Sequence, residues 1–261
     1  MTATTPELPH GCAVVREVPS VDPSALVHPL WTRTFPWLIQ GTTNRGTGPE
    51  PFDLGIFSDA SHARAVLRSW DHLQRSSGCR RAVVAHQVHG AAVRVHGPGS
   101  PGLHLADPCD GHATCVPGVL LAVTTADCVP VSIVDSRRRA VALLHAGWRG
   151  VAASVLERGV AVLGERMGAA TGDLHVHLGP AICGRCYEVG PEVFEGLGLP
   201  APPAPSPVDL RAVLARRARH CGVPAGQITV SAHCTLCGDA GLFSHRRGDH
   251  ARQAGYLGIR P

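Results

Sequence analysis

Three strongly apolar segments that follow one another closely do most to limit how this chain can fold. Residues 119–123, 129–134 and 140–144 are nearly continuous runs of Val, Leu, Ile and Ala. Apolar runs of this length are typical of strands that are buried on both faces. We therefore predict three buried strands, with residues 135–138 forming the turn between the last two.

Patterns on either side predict further elements. Strands are predicted at residues 81–88, 174–178 and 228–231, and helices at 61–74, with Ser61 as N-cap, at 151–163, from Pro191 and after Asp209. Residues 97–118 form a long polar stretch that we predict to be a functional loop. Because no internal repeat or linker interrupts the pattern, we predict one α/β domain with helices layered on a mixed sheet.

The composition excludes several classes of function. All 24 basic residues are arginine, so lysine-based covalent chemistry is excluded, and a net charge of +4 is too small to indicate nucleic-acid binding. No segment has the length and hydrophobicity of a membrane helix. Residues 1–14 lack the basic and apolar regions of a signal peptide, so we expect a cytoplasmic protein.

The predicted strands end in residues that bind metals or act as nucleophiles. His89 follows one strand, Cys128 lies between two others, and His145 directly follows residues 140–144. Two imidazoles and one thiolate form a tetrahedral zinc site with an open position, where a bound water acquires a pKa near ~7. Cys128 and His145 equally fit a nucleophile and its general base. Asp127 either orients a histidine or caps a turn.

Two Cys-x-x-Cys pairs occur in the second half of the chain. Cys183 and Cys186 form the first, and Cys234 and Cys237 form the second. Two such pairs are typical of a zinc ribbon. Because 47 residues separate Cys186 from Cys234, we predict two unrelated thiol pairs, with a structural zinc site as the alternative.

Arginines are the candidate ligands for an anionic substrate. Arg45 lies in the glycine-rich segment 42–48, and Arg149, Arg246 and Arg247 are alternatives. The segment is not a P-loop because it has no lysine.

Five segments together resemble a known family. They are Gln-Val-His-Gly at 87–90, Thr-Ala-Asp-Cys-Val-Pro at 125–130, His-Ala-Gly-Trp-Arg-Gly at 145–150, and the segments 178–190 and 243–247. Their order and spacing resemble the laccase-domain family, also called YfiH/YlmD-like, multicopper polyphenol oxidase or peptidoglycan editing factor. The resemblance runs from about residue 35 to the end, which divides the chain into residues 1–34, an N-terminal extension or first strands, and a catalytic domain over 35–261.

The resemblance implies a fold like that of the cytotoxic necrotizing factors, and purine nucleoside chemistry. It implies metal ligands at His89, Cys128 and His145, with zinc as the usual ion and copper as the alternative, and phosphate binding at Arg45. A multicopper oxidase needs many more histidines than this site offers. The departures from the family pattern, including Asp53 and the order Arg-Arg-Gly-Asp at 246–249, leave these ligands unchanged.

We therefore predict a zinc-dependent purine nucleoside phosphorylase with adenosine deaminase and methylthioadenosine phosphorylase activity. Its partners are the purine nucleoside and phosphate, and the sequence does not give its oligomeric state. Three alternatives stay open: a Cys-His hydrolase of amides or esters in cell-wall precursors, a copper oxidase using the same site, and a zinc-stabilised interaction protein built on the Cys-x-x-Cys pairs.

Overall fold

A computed structural model of the chain describes residues 7–57 and 63–261. The strands are β1 (Ala13–Val15), β2 (Val18–Ser20), β3 (Ala25–Val27), β4 (Leu38–Thr43), β5 (Arg81–Ala85), β6 (Val93–Val95), β7 (Gly102–Ala106), β8 (Gly111–Thr114), β9 (Val119–Thr125), β10 (Val129–Asp135), β11 (Ala140–Ala146), β12 (Leu174–Leu178), β13 (Glu188–Val189), β14 (Ser206–Pro207), β15 (Ile228–Ser231) and β16 (Gln253–Ile259). The α-helices are α1 (Pro29–Thr34), α2 (Ala63–Ser77), α3 (Trp148–Ala152), α4 (Val155–Met167), α5 (Pro191–Leu197) and α6 (Leu210–His220).

Two mixed seven-stranded sheets form the centre of the molecule. The first has the order β1-β15-β12-β10-β11-β8-β6, and the second has the order β2-β3-β4-β16-β9-β5-β7. They pack face to face, with Leu121 and Leu257 of the second sheet in one apolar cluster with Val141 and Leu143 of the first. The predicted α/β class is confirmed, but the mixed sheet is divided into two stacked sheets.

Helices cover the outer faces of both sheets. On α2, Val66, Trp70 and Leu73 recur at helical spacing and are buried against the second sheet. The α4 and α6 helices cover the first sheet. The helix predicted over 61–74 is α2, and its expected N-cap, Ser61, lies outside the described residues. Among the described residues, no helix is both long and apolar enough to cross a bilayer.

The helix predicted over 151–163 is instead two helices. Ser154 has a left-handed φ of 66°, which ends α3 and redirects the chain into α4. The shorter α3 contacts α5, whereas α4 packs on β11. Val151 and Val155, on either side of the break, are both buried. The apolar spacing therefore continues through the break, and periodicity alone does not reveal that one helix ends and another begins.

The polar stretch 97–118 was predicted to be a functional loop, and this prediction is wrong. The stretch contains the strands β7 and β8. All four residues of β8 are buried, and β8 pairs with β11 through Leu143↔His112 and Leu144↔Gly111. Its polar side chains turn back on residue 96: Thr114 Oγ1 donates to the carbonyl of His96 at 2.7 Å, and Nδ1 of His112 lies 2.9 Å from Nε2 of the same histidine. This strand brings Asp110 to the edge of the site described next.

Candidate metal and catalytic site

The three side chains singled out in the sequence converge. The potential ligand atoms of His89, Cys128 and His145 all lie within 4.8 Å of one another. His89 follows β5 of the second sheet, Cys128 lies where the chain crosses from β9 of the second sheet to β10 of the first, and His145 belongs to β11. Pro130 pairs with His145 in the ladder between β10 and β11. Cys128, two residues before Pro130, therefore lies next to the end of β11. The site therefore lies at the junction of the two sheets.

A buried carboxylate that sequence reasoning missed organises this site. Asp110 Oδ1 accepts hydrogen bonds from His145 Nδ1–H and from the backbone N–H of His89, both at 2.9 Å. Its Oδ2 accepts from the N–H of Gly90 at 2.7 Å and of Val88 at 3.2 Å. Burial alone would raise the pKa of Asp110, but these bonds hold it below its usual value. The bond to Nδ1 leaves Nε2 of His145 for a metal ion or for Cys128.

Two of the site residues have a backbone conformation that is uncommon outside glycine. The φ angles of His89 and Asp127 are 59° and 86°. Such conformations cluster at functional sites, where the surrounding structure enforces them. The bonds to Asp110 enforce the conformation at His89, and the hydrogen bond from the N–H of Ile182 to the carbonyl of Asp127, at 3.1 Å, ties down the second turn.

Close packing at Gly147 allows the three side chains to meet. A Cβ atom at this position would lie 2.9 Å from Cδ2 of His89 and 3.0 Å from Sγ of Cys128. Contacts this short force a neighbour to move. The glycine of the His-Ala-Gly-Trp-Arg-Gly segment is therefore required by the approach of His89 and Cys128, and not by a special φ angle.

Cys128 and His145 are strongly coupled. Burial would raise the pKa of the Cys128 thiol, but the charge of His145 and hydrogen bonds with both histidines lower it to about 6. Burial would lower the pKa of His145, but Cys128 and Asp110 raise it to about 9. Without a metal ion, the pair therefore favours a thiolate beside an imidazolium. The metal-binding form of Cys128 is this same thiolate.

The hydrogen-bond partners of the Asp127 carboxylate are Thr235 and Arg246, and not the two histidines. Its Oδ1 accepts from Thr235 Oγ1 at 2.5 Å, and its Oδ2 accepts from the backbone N–H of Arg246 at 2.8 Å. Of the two roles considered for Asp127, the structure favours the cap of a turn. The carboxylate that orients a histidine ligand is Asp110.

A cavity of about 330 Å³ opens beside the cluster. Phe57 and His86 line it and form an aromatic pair whose ring centroids are 5.2 Å apart. His245 and Arg252 line it as well, and none of these four side chains was predicted from the sequence. The volume lies in the range of cavities that bind small molecules.

Arg45, the predicted phosphate ligand, does not line this cavity. Its Nη2 donates to Asp249 Oδ2 at 2.9 Å, and its guanidinium lies 4.4 Å from the ring centroid of Phe243. Arg252 does line the cavity, and its Nη1 donates to the carbonyl of Asp249 at 3.0 Å. Among the described residues, Arg252 is thus the arginine at the cavity wall.

The alternatives Arg149 and Arg246 do not line this cavity either. Arg246 lies 5.1 Å from the ring centroid of Tyr187, and Arg149 lies over Trp148. Burial and the charge of Cys128 raise the pKa of Tyr187 to about 12, and the two arginines oppose this rise. They therefore act electrostatically on a tyrosine close to Cys128. Arg247 Nη2 donates hydrogen bonds to the carbonyls of Thr235 and Leu236, both at 2.7 Å.

The cluster fits a zinc ion with an open coordination position. It offers two imidazole nitrogens and one sulfur, donors of the kinds that bind zinc in proteins, and a carboxylate orients one of the imidazoles. Copper accepts the same donors. In the described part of the chain, the groups of three or more potential ligands are this cluster and the four cysteines of the Cys-x-x-Cys pairs. The prediction that those two pairs are unrelated is wrong, because their sulfur atoms converge.

Comparison with known proteins gives consistent matches. A family model described as multi-copper polyphenol oxidoreductase laccase matches residues 42–260. Purine nucleoside phosphorylase YlmD of Geobacillus stearothermophilus is 37% identical over 255 residues, which cover 87% of this chain and 92% of the relative. Adenosine deaminase RL5, from an unknown prokaryotic organism, is 38% identical over 151 residues, 53% of this chain and 56% of the relative.

A solved structure shares the fold. The hypothetical protein YfiH of Bacillus licheniformis matches with a TM-score of 0.82 at 26% identity, over 91% of this chain and 97% of that protein. The family resemblance and the fold predicted from the sequence are therefore confirmed. This chain belongs to the multi-copper polyphenol oxidoreductase laccase family, the family of YfiH and YlmD.

Proposed function

We propose that this chain is a zinc-dependent purine nucleoside phosphorylase that also deaminates adenosine and cleaves methylthioadenosine. The observation that carries the proposal is that His89, Cys128 and His145 line a cavity of small-molecule size with an aromatic wall. The names of two relatives, a purine nucleoside phosphorylase and an adenosine deaminase, support this choice of substrate.

In this proposal His89, Cys128 and His145 hold the metal ion. When bound there, zinc supplies Lewis acidity and lowers the pKa of a coordinated water toward ~7. Asp110 holds the ring of His145 and the backbone of His89 in the orientation that binding needs. Gly147 keeps the space between them open.

The remaining cavity residues bind the substrate. Phe57 and His86 offer ring faces against which a planar purine stacks. Arg252 offers guanidinium donors to phosphate, and His245 offers an imidazole to the ribose or the base. Phosphorolysis passes through a positively charged ribosyl group, so the enzyme must hold phosphate on the face opposite the departing base.

Turnover by the purified protein tests this proposal. Adenosine, inosine and methylthioadenosine are each incubated with phosphate, and the free base, the sugar phosphate (ribose phosphate, or methylthioribose phosphate from methylthioadenosine) and ammonia are measured. We expect base release that depends on phosphate, and ammonia from adenosine. His89→Ala should abolish both, whereas His10→Ala, at an exposed histidine outside the site, should change neither. No turnover of any of the three nucleosides would refute the proposal.

One observation favours a second candidate, a thiol hydrolase of amides or esters. Asp110, His145 and Cys128 form a carboxylate–imidazole–thiolate series with the order of a nucleophilic triad. In this case the Cys128 thiolate attacks the carbonyl carbon, His145 protonates the leaving group, and water releases the acyl group.

Two treatments distinguish the candidates. A chelator should inactivate the zinc enzyme, and added zinc should restore it, but a thiol hydrolase should be indifferent to the chelator. Iodoacetamide should block the thiol enzyme in its active form, whereas zinc should protect Cys128 in the metal enzyme. Both treatments are carried out on the Cys115→Ser variant. This substitution removes an exposed cysteine that belongs to neither group of potential metal ligands.

A further inference from the structure

The two Cys-x-x-Cys pairs meet because of the topology of the first sheet. Cys183 and Cys186 follow β12, and Cys234 and Cys237 follow β15. These two strands are parallel neighbours, so their carboxyl ends lie at the same edge of the sheet. The 47 residues between the pairs contain α5 and α6, which return the chain to this edge.

Backbone contacts hold the two segments together. Ala181 and Cys234 form a parallel bridge, and the N–H of Thr235 donates to the carbonyl of Ala181 at 3.1 Å. The N–H of Cys183 donates to Sγ of Cys234 at 3.2 Å, and the N–H of Cys237 donates to the same sulfur at 3.5 Å. Amide donors of this kind stabilise thiolates that bind metals.

The sulfur positions suit a single tetrahedral ion. All four Sγ atoms lie within 4.8 Å of one another, and those of Cys183 and Cys237 are 3.9 Å apart. Four sulfurs at ~2.3 Å from a central zinc ion are about 3.8 Å apart. A disulfide needs a separation of about 2.05 Å. The spacing is also too small for the four sulfurs to surround a four-iron cluster.

From this geometry we propose that Cys183, Cys186, Cys234 and Cys237 bind a structural zinc ion, separate from the ion at His89, Cys128 and His145. Four protein ligands leave no position for substrate, as in other structural zinc sites. The proposal does not depend on the proposed nucleoside chemistry, since it concerns different ligands.

The ion would also help to position the turn that carries Cys128. The segment that carries Cys234 continues to Thr235, whose hydroxyl donates to Asp127. Ile182, next to Cys183, donates its N–H to the carbonyl of Asp127. Asp127 directly precedes Cys128, so both cysteine segments contact the turn that carries the candidate catalytic thiolate.

Zinc content of the full chain tests the proposal. The double variant His89→Ala/His145→Ala removes two ligands of the other site, and we expect it to retain about one zinc per chain by mass spectrometry of the metal. Adding Cys183→Ser/Cys234→Ser should remove that zinc, whereas adding Cys115→Ser should not. A double variant that is purified reduced and contains no zinc, or contains iron instead, would overturn the proposal.

Cobalt provides a second measurement that needs no cysteine substitution. Co²⁺ added to the metal-depleted, reduced His89→Ala/His145→Ala variant should give the intense thiolate-to-cobalt absorption and visible bands of a tetrahedral tetrathiolate site, at one equivalent. Zinc should displace it. Absence of the thiolate bands would overturn the proposal even if the cysteine variants fail to fold. Because neither readout uses a nucleoside, failure here is distinguishable from failure of the proposed function.

Discussion

The imidazole of His145 donates a 2.9 Å hydrogen bond to the buried carboxylate of Asp110. The same carboxylate accepts a hydrogen bond from the backbone N–H of His89. Asp110 therefore fixes the ring of one candidate metal ligand and the main chain of another. Carboxylates in this position set the tautomer and the basicity of histidine ligands.

Asp110→Asn should weaken the metal site without removing any ligand. The amide accepts hydrogen bonds but carries no charge, so the pKa of His145 should fall, and zinc affinity should decrease by about 10–100-fold. Competition with a chromophoric chelator measures this affinity. Asp107→Asn is the matched control, because Asp107 is exposed and pairs with Arg94 at 3.4 Å outside the site. Equal zinc affinity in Asp110→Asn and the unchanged protein would contradict this role.

The apolar runs made β9, β10 and β11 predictable, because strands buried on both faces have few polar positions. Their assignment to two sheets was not predictable. The three residues between β9 and β10 have the length of a hairpin turn, but the left-handed φ at Asp127 directs the chain into the other sheet. A hairpin within one sheet and a crossing between two sheets bury the same side chains, so the hydrophobic pattern does not distinguish the two arrangements.

Asp110 escaped prediction for a related reason. It precedes a strand whose side chains, Gly-His-Ala-Thr, show no apolar pattern, and an Asp-Gly pair is typical of a turn. Its importance comes from long-range contacts with His89 and His145, which sequence spacing does not report. The Cys-x-x-Cys pairs show the same limit, since only the parallel pairing of β12 and β15 brings them together.

Gly147→Ala should disrupt the cluster by crowding. The added methyl group would press on His89 and Cys128 at 2.9–3.0 Å, and overpacking of this kind costs about 1–3 kcal/mol. Falling on the metal-bound arrangement, that cost lowers zinc affinity by about 5–160-fold. Gly172→Ala is the control, because a methyl group there meets nothing within 4 Å. Zinc binding and turnover that survive Gly147→Ala unchanged would show that the cluster has more room than the structure indicates.

The pH dependence of alkylation should report the coupling of Cys128 and His145. In metal-free protein the thiolate persists above the Cys128 pKa of about 6 and is protonated below it. The rate of iodoacetamide labelling, followed on the Cys128 peptide by mass spectrometry, should therefore reach half its maximum near pH 6. His145→Ala removes the main favourable charge and should move this midpoint toward ~8.5, the value of an unperturbed cysteine. A midpoint above pH 8 in the unchanged protein would contradict the thiolate–imidazolium pair.

Phosphate binding should depend on Arg252 more than on Arg45. The guanidinium of Arg45 is paired with the carboxylate of Asp249 at 2.9 Å, whereas Arg252 lines the cavity and donates from Nη1 to uncharged backbone carbonyls. We expect Arg252→Gln to raise KM for phosphate by about tenfold or more, since a charged hydrogen bond contributes about 1.5–3 kcal/mol. Arg45→Gln should have a smaller effect, and KM for the nucleoside should change little in either variant.

Steady-state rates at varied phosphate and fixed inosine measure these constants, and Arg68→Gln, at an exposed ion pair with Glu50, is the control. Arg252→Lys keeps the charge and should recover part of the phosphate affinity, which a purely structural role of Arg252 would not predict. A large rise in KM for Arg45→Gln alone would assign phosphate to Arg45, as the family resemblance implied. In that case Asp249→Asn, which releases Arg45 from its partner, should lower KM for phosphate.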